Sequence, residues 1–363
     1  MWVETDAPAE VEVVPGGRGR TLTVAGHHYA LVHVTGLEPD TATPYEVRLD
    51  GETVWPEPDS PFPPSVLRTH ARSRPVRIAF GSCRVSAPHH PPFSDTKDKD
   101  ARGREMDALR SLAVRMAGHE PDTWPHALLM LGDQVYADEV PPAVQRELGG
   151  RDVADFEDYT RLYRDAWGEP VIRWLLSTVP SAMIFDDHDV HDDWNTSAAW
   201  VEEIRRTDWW EPRIVGAFAS YLLYQHWGNL APAEAARVEL LGEGDVTEPV
   251  MAFAREAAYE VAGKRWSFCR DIGPARLVMI DSRAGRLLDP GSRSMVDAEE
   301  WRWIVERARE PAGHLLIGTS LPLLLAPAMH HLEAWNEAVC DGAWGRAWEG
   351  LGEKLRQGLD LEH

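Results

Sequence analysis

The chain has 363 residues, 44% hydrophobic and 26% charged, which is the profile of a folded protein with enough length for two cores and excludes a disordered one. Acidic residues outnumber basic ones 59 to 37, and the formal charge of -22 repels nucleic-acid backbones and anionic lipid, so general nucleic-acid binding is not expected. Three cysteines, Cys83, Cys269 and Cys340, are too few for a disulfide framework and fit a reducing compartment.

No segment reads as a membrane span, because the most apolar stretch, 315–329, is short and broken by Pro322 and Pro327. The first residues lack a basic region followed by an apolar run, and Arg18-Gly19-Arg20 leads into a polar alternating stretch, which argues against a twin-arginine signal. A cytoplasmic protein without a membrane partner is expected.

Residues 1–70 alternate in short runs at 11–13, 21–24, 29–34 and 45–49, with Pro15-Gly16-Gly17, Asp40 and Asp50-Gly51 supplying turns. This spacing predicts a small β-sandwich, and Gly36-Leu37 with Pro39, Thr43 and Tyr45 resembles a fibronectin-type-III corner. The proline-rich stretch 56–64 reads as a linker. From residue 71 onward, short apolar strands alternate with helices. Strands are expected at 76–80, 127–131, 182–185, 276–280 and 314–317, and helices at 105–116 and 158–176. This α/β order gathers ligands beyond the carboxyl ends of the strands. The many tryptophans, Trp209-Trp210 and Trp301 with Trp303 among them, are expected in core packing, and Cys269 and Cys340 as buried apolar side chains.

The strand ends carry the chemistry. They read Phe80-Gly81-Ser82-Cys83, Leu131-Gly132-Asp133-Gln134-Val135-Tyr136-Ala137-Asp138, and Phe185-Asp186-Asp187-His188-Asp189-Val190-His191-Asp192-Asp193. A single carboxylate at such a place usually caps the next helix; three ends bearing Cys, Asp-Tyr and Asp-His together point instead to a shared site. Clustered carboxylates need a cation to remain ionised, and Asp133 has two oxygens with which to bridge a metal pair. Tyr136 follows three residues later, and a phenolate with the Cys83 thiolate suits trivalent iron better than Mg²⁺. His188 reads either as a metal ligand or as the acid that protonates a leaving oxygen, with Asp189 fixing its tautomer. The His-Asp spacing also suits a helical His-Asp phosphohydrolase, but the strand-like Met183-Ile184-Phe185 before it disfavours that reading. Arg84 and Arg283 are candidate phosphate binders, while Asp192, Asp193 and Asn195 read as loop residues.

The Asp133–Tyr136 and Asp186–Asp189 blocks, with Ser82-Cys83 upstream, resemble the PhoD-like alkaline phosphatases, metallophosphoesterases related to purple acid phosphatases. The resemblance implies a two-sheet αββα sandwich over 71–363, after the N-terminal sandwich at 1–70. It implies Fe(3+) on Cys83 and Tyr136, Asp133 bridging to a second divalent metal, often Ca(2+), Asp187 on that second metal, and His188 as acid or transition-state stabiliser. The partner implied is a small phosphate mono- or diester. The family pattern also has a C-terminal Gly-Asp-x-His block, absent from this sequence; after His331 it offers Trp335, Asp341, Glu353 and Leu361-Glu362-His363. With 354–363 reading as a helix stopped midway, a truncated catalytic domain is expected. The alternative to an active phosphoesterase is then a weakly active structural or binding remnant.

Overall fold

The computed structural model describes residues 1–235, 238, 240–289, 291–324, 326–340, 342–345, 348, 350–352 and 354–355. Asp341, Glu353 and residues 356–363, on which the reading of an interrupted helix rests, lie outside the described residues.

Two four-stranded sheets build the N-terminal region. One takes the order Trp2–Thr5, His27–Leu31, Leu22–Val24, Gly244–Asp245; the other, antiparallel, takes Gly17–Arg20, Glu10–Val14, Glu46–Leu49, Glu52–Trp55. Val11, Val13 and Val47 of the second sheet meet Ala30 and Val32 of the first and its following residues in a small core. Alternation along one strand sends the next residue the other way, so Tyr29 faces a large helical cluster. There Tyr29 packs edge-on to Tyr224 and Trp2 donates its indole N–H to the Leu223 carbonyl at 2.8 Å. The 56–64 stretch is docked as well, with Phe62 stacked on Trp174 and the Pro63 carbonyl accepting its indole N–H at 2.7 Å.

The second region holds two three-stranded sheets. Ile78–Gly81, Ala127–Met130 and Ser181–Met183 run parallel, in that order. Phe268–Ile272 pairs antiparallel with Ala275–Met279, which pairs parallel with His314–Gly318. The period of two decides the layers. Leu129 and Ala182 point inward against Phe268, Leu277 and Met279, while Leu128, Met130 and Met183 face helices Ala108–Ala117 and Pro170–Thr178. Val278 faces helix Ala298–Arg309 through Ile304. The result is helix, sheet, sheet, helix.

The expected helix at 158–176 is two, Phe156–Gly168 and Pro170–Thr178, because Pro170 lacks the N–H needed to continue the first and fits the first turn of the second. The tryptophans do not all pack. Trp210 is buried, but Trp209 and Trp301 are 40% and 55% exposed. Cys269 and Cys340 are only half-buried. No helix among the described residues is long and apolar enough to cross a membrane.

Candidate active site

The three parallel strands end side by side, so the segments that follow them meet. Leu131 continues the ladder to the Gly81 carbonyl, and Cys83 donates its backbone N–H to the Gly132 carbonyl at 3.2 Å. At Gly132 the chain takes φ +124°, and a Cβ there would lie 2.9 Å from the Asp186 side chain and 3.2 Å from Ser320, so only glycine admits this approach. Cys83, Asp133, Asp193 and Asn195 all have positive φ, at 58°, 46°, 60° and 65°. Four non-glycine residues in the left-handed region around one site mark a backbone held in place by its surroundings.

Asp189 does much of the holding. Fully buried, it accepts the backbone N–H groups of Gln134 and Val135 on one carboxylate oxygen, at 3.1 and 3.2 Å, and that of Asp186 on the other, at 3.0 Å. It ties the Asp133 loop to the Asp186 loop. It is not the partner of the His188 ring; that carboxylate is Asp138, 2.9 Å from Nδ1. Asp138 stands two residues past Tyr136 and contacts a ring fifty positions away, a pairing for which the sequence carries no local signal.

Asp133, Asp186 and Asp187, all buried, each bring a carboxylate oxygen within 4.8 Å of the others. Asp186 accepts from the Arg283 Nε at 2.9 Å, and Asp187 from the Asp193 N–H at 3.1 Å. Asp133 has less help. Its Oδ1 is buried with no hydrogen-bond partner among the described residues, and the Tyr136 hydroxyl is 3.4 Å from Oδ2. Burial, then the charges of Asp186 and Asp187, push its carboxyl up to about 7. A buried acceptor facing two like charges is costly unless a cation completes it. The donor set therefore fits a metal ion. Asp187, His188 and the exposed Asp192 form a second such group at the rim.

Cys83 and Tyr136 flank Asp133. Burial and the Asp133 charge push the thiol up to about 12, and raise the Tyr136 phenol as well. Both shifts favour the protonated thiol and phenol. Tyr136 stacks on His188 with ring centroids 4.6 Å apart. Burial opposes a charge on His188, but the Asp138 hydrogen bond and charge, with Asp133 and Asp187 beyond, raise it to about 10. These contacts favour the imidazolium, whose Nε2 lies 3.6 Å from Asp192.

The two arginines are both engaged. Arg283 is 2% exposed, held between Asp186 and the Trp194 carbonyl, with NH2 3.6 Å from Asp187. Arg84 donates to Asp107, the N-cap of helix Ala108–Ala117, at 2.9 Å. Arg283 therefore lies beside the carboxylate cluster, whereas Arg84 braces the neighbouring helix. The second sheet closes the site from its own strand ends, where Ser282 and Ser320 share a hydrogen bond of 2.7 Å.

A family model for PhoD-like phosphatases matches residues 106–290, and a domain of unknown function (DUF7800) matches residues 1–67. No curated protein matches the chain. A solved structure described as "Structure of PhoD" is similar at a TM-score of 0.51 and 14% sequence identity, over 85% of this chain and 54% of that one. The chain thus spans about half the length of that protein, and the likeness extends the shared fold beyond the matched segment. With Gly132, Asp133, Tyr136 and Asp186 to Asp189 all inside the matched half of its length, the chain belongs to the PhoD-like phosphatase family.

Proposed function

We propose that this chain hydrolyses phosphate mono- or diesters at a dinuclear metal centre. The observation that carries the reading is the buried Asp133, whose Oδ1 has no hydrogen-bond partner among the described residues and whose carboxylate clusters with those of Asp186 and Asp187. In this assignment Cys83, Tyr136 and Asp133 would hold ferric iron, and Asp133, Asp186 and Asp187 would hold a second, divalent ion for which calcium is our choice. When bound, the metals supply positive charge that polarises the phosphoryl group and acidifies a water.

The remaining work falls to the chain. Asp133 would contribute to both metal positions. Arg283 neutralises part of the charge on Asp186 and Asp187 and fixes how their oxygens point. His188 keeps its proton through the Asp138 contact and gives it from Nε2 to the departing alkoxide, so that no free alkoxide forms. Tyr136 limits the tilt of that ring by stacking. Arg84 acts through Asp107 and the helix beside Cys83, while Arg283 meets the substrate phosphate only where it reaches past the carboxylates. The formal charge of -22 steers away polyanionic partners and leaves small esters as substrates.

The test is metal analysis of the purified chain together with hydrolysis of p-nitrophenyl phosphate and its bis ester. We expect about one iron per chain, a tyrosinate-to-iron colour that disappears in Tyr136→Phe, and turnover that stops on chelation. A folded, metal-reconstituted sample without turnover of either ester would support the remnant reading instead. Colour and iron content unchanged in Tyr136→Phe would remove Tyr136 from the ligand set.

A further inference from the structure

A cleft of about 480 Å³ opens beside the candidate centre, with Cys83, Gly132 and Gln134 among its lining residues. Its volume is in the range of small-molecule sites. Its walls are mainly apolar, although Arg84, Lys97, Arg104, Glu105 and Asp107 also line it. Phe80, at 74% exposure on the edge strand Ile78–Gly81, and Met106, at 73%, stand over Leu109 and Leu112 of helix Ala108–Ala117. These are among the most exposed large apolar side chains of the chain, and both line this one cleft. Of the charged lining residues, Arg84 is paired with Asp107 at 2.9 Å and Arg104 with Glu139 at 2.9 Å.

We propose that this cleft binds the alcohol moiety of the substrate and selects an apolar one, so that the preferred esters carry an alkyl chain of several carbons. The inference rests on the phosphoesterase reading. Its argument is continuity: Cys83 of the candidate centre lines the same cleft as Phe80 and Met106, so a group esterified to a phosphate held there would have these side chains beside it. Methylenes placed against Phe80 and Met106 are removed from water, whereas a hydroxyl there gains no hydrogen bond from those two side chains. Full burial of one methylene corresponds to about a fourfold gain in affinity, and an open cleft to about twofold.

The experiment uses the metal-loaded chain and two matched series. Binding of methyl-, butyl- and octylphosphonate is measured by titration calorimetry below the micellar range, and hydrolysis of p-nitrophenyl methyl, butyl and octyl phosphate is followed in parallel. The expected result is affinity rising about twofold per methylene, a heat-capacity change that grows more negative with chain length, and kcat/KM rising alongside. Phe80→Ser and Met106→Ser should each flatten the dependence on chain length. Affinity that is independent of length, or a length dependence that both substitutions leave intact, overturns the proposal. Length-dependent binding with no hydrolysis of any ester keeps the cleft assignment and overturns the phosphoesterase reading, so the two failures are distinguishable.

Discussion

At the scale of single residues, the site divides sharply into what one strand end shows and what only two together show. Cys83, Asp133, Tyr136, Asp187 and His188 stand out as candidates because three strand ends carry them together, although a lone carboxylate there would read as a cap. Asp138 and Arg283 acquire their meaning across the fold. Asp138 is separated from the ring it orients by fifty positions, and Arg283 reaches Asp186 from the second sheet, 97 positions later. Proximity in sequence misleads over Asp189, which adjoins His188 yet spends both oxygens on backbone N–H groups. The consequence is testable. Asp138→Asn keeps the shape but removes the anion that holds the Nδ1 proton, so kcat should fall about 10- to 100-fold with KM changed less. Asp189→Asn should act differently, through the metal: an amide can accept on only one atom, one loop is released, and metal affinity falls. Steady-state kinetics beside metal titration distinguish the two. Equal losses in both variants, on both measurements, would refute the separate roles.

Individual elements follow from local rules more completely than the site does. The parallel strands appear within a few residues of the apolar runs, since a strand buried on both faces needs no polar alternation and is recognised by its length. Helical periodicity continues across Glu169, however, and hides the break that Pro170 imposes. The short sandwich strand Gly244–Asp245 was not legible at all; two residues carry no period, and it forms because the chain returns to pair with Leu22–Val24. Among connecting elements the turn at Gly132 is the most exacting. Alanine there meets two separate costs, a backbone angle of +124° and a Cβ against Asp186. Gly150 offers the comparison, with φ +85° and open space around it. Both Gly132→Ala and Gly150→Ala should lose roughly 1–3 kcal/mol from backbone strain. Only Gly132→Ala should also displace Asp186 and weaken metal binding. Denaturant titration and metal titration of the two variants check this, and identical metal affinities would show that Asp186 is not coupled to the turn.

Across the whole molecule, the large core does not respect the boundary between sandwich and catalytic region. Leu22, Val24 and Tyr29 belong to the same buried cluster as Phe185, Phe218, Tyr221 and Trp266, so unfolding one region exposes surface of the other. His226 lies against that cluster, fully desolvated, edge-on to Trp266 at 5.0 Å, with Nδ1 unpartnered among the described residues. Burial, then the Arg265 charge, push its imidazole down to about 3 from the usual 6.5. The folded chain therefore carries this histidine neutral at pH values where the unfolded chain has already bound a proton. Between about 3 and 6.5 the unfolded state holds more protons, so stability rises with pH across that window. The contribution is complete above 6.5 and is lost as pH falls below it, with a slope approaching about 1.4 kcal/mol per pH unit from this one group. Because the cluster joins both regions, the loss should be felt by the whole chain rather than by one half. Urea denaturation at pH 7.5, 6.0 and 5.0, followed by tryptophan fluorescence, should show the midpoint falling with acidity in a single transition. His226→Asn cannot take up the proton, so its midpoint should start lower and decline less steeply over the same range. Parallel declines in the two proteins would assign the acid sensitivity to other groups, and two separate transitions would show that the shared core does not couple the regions.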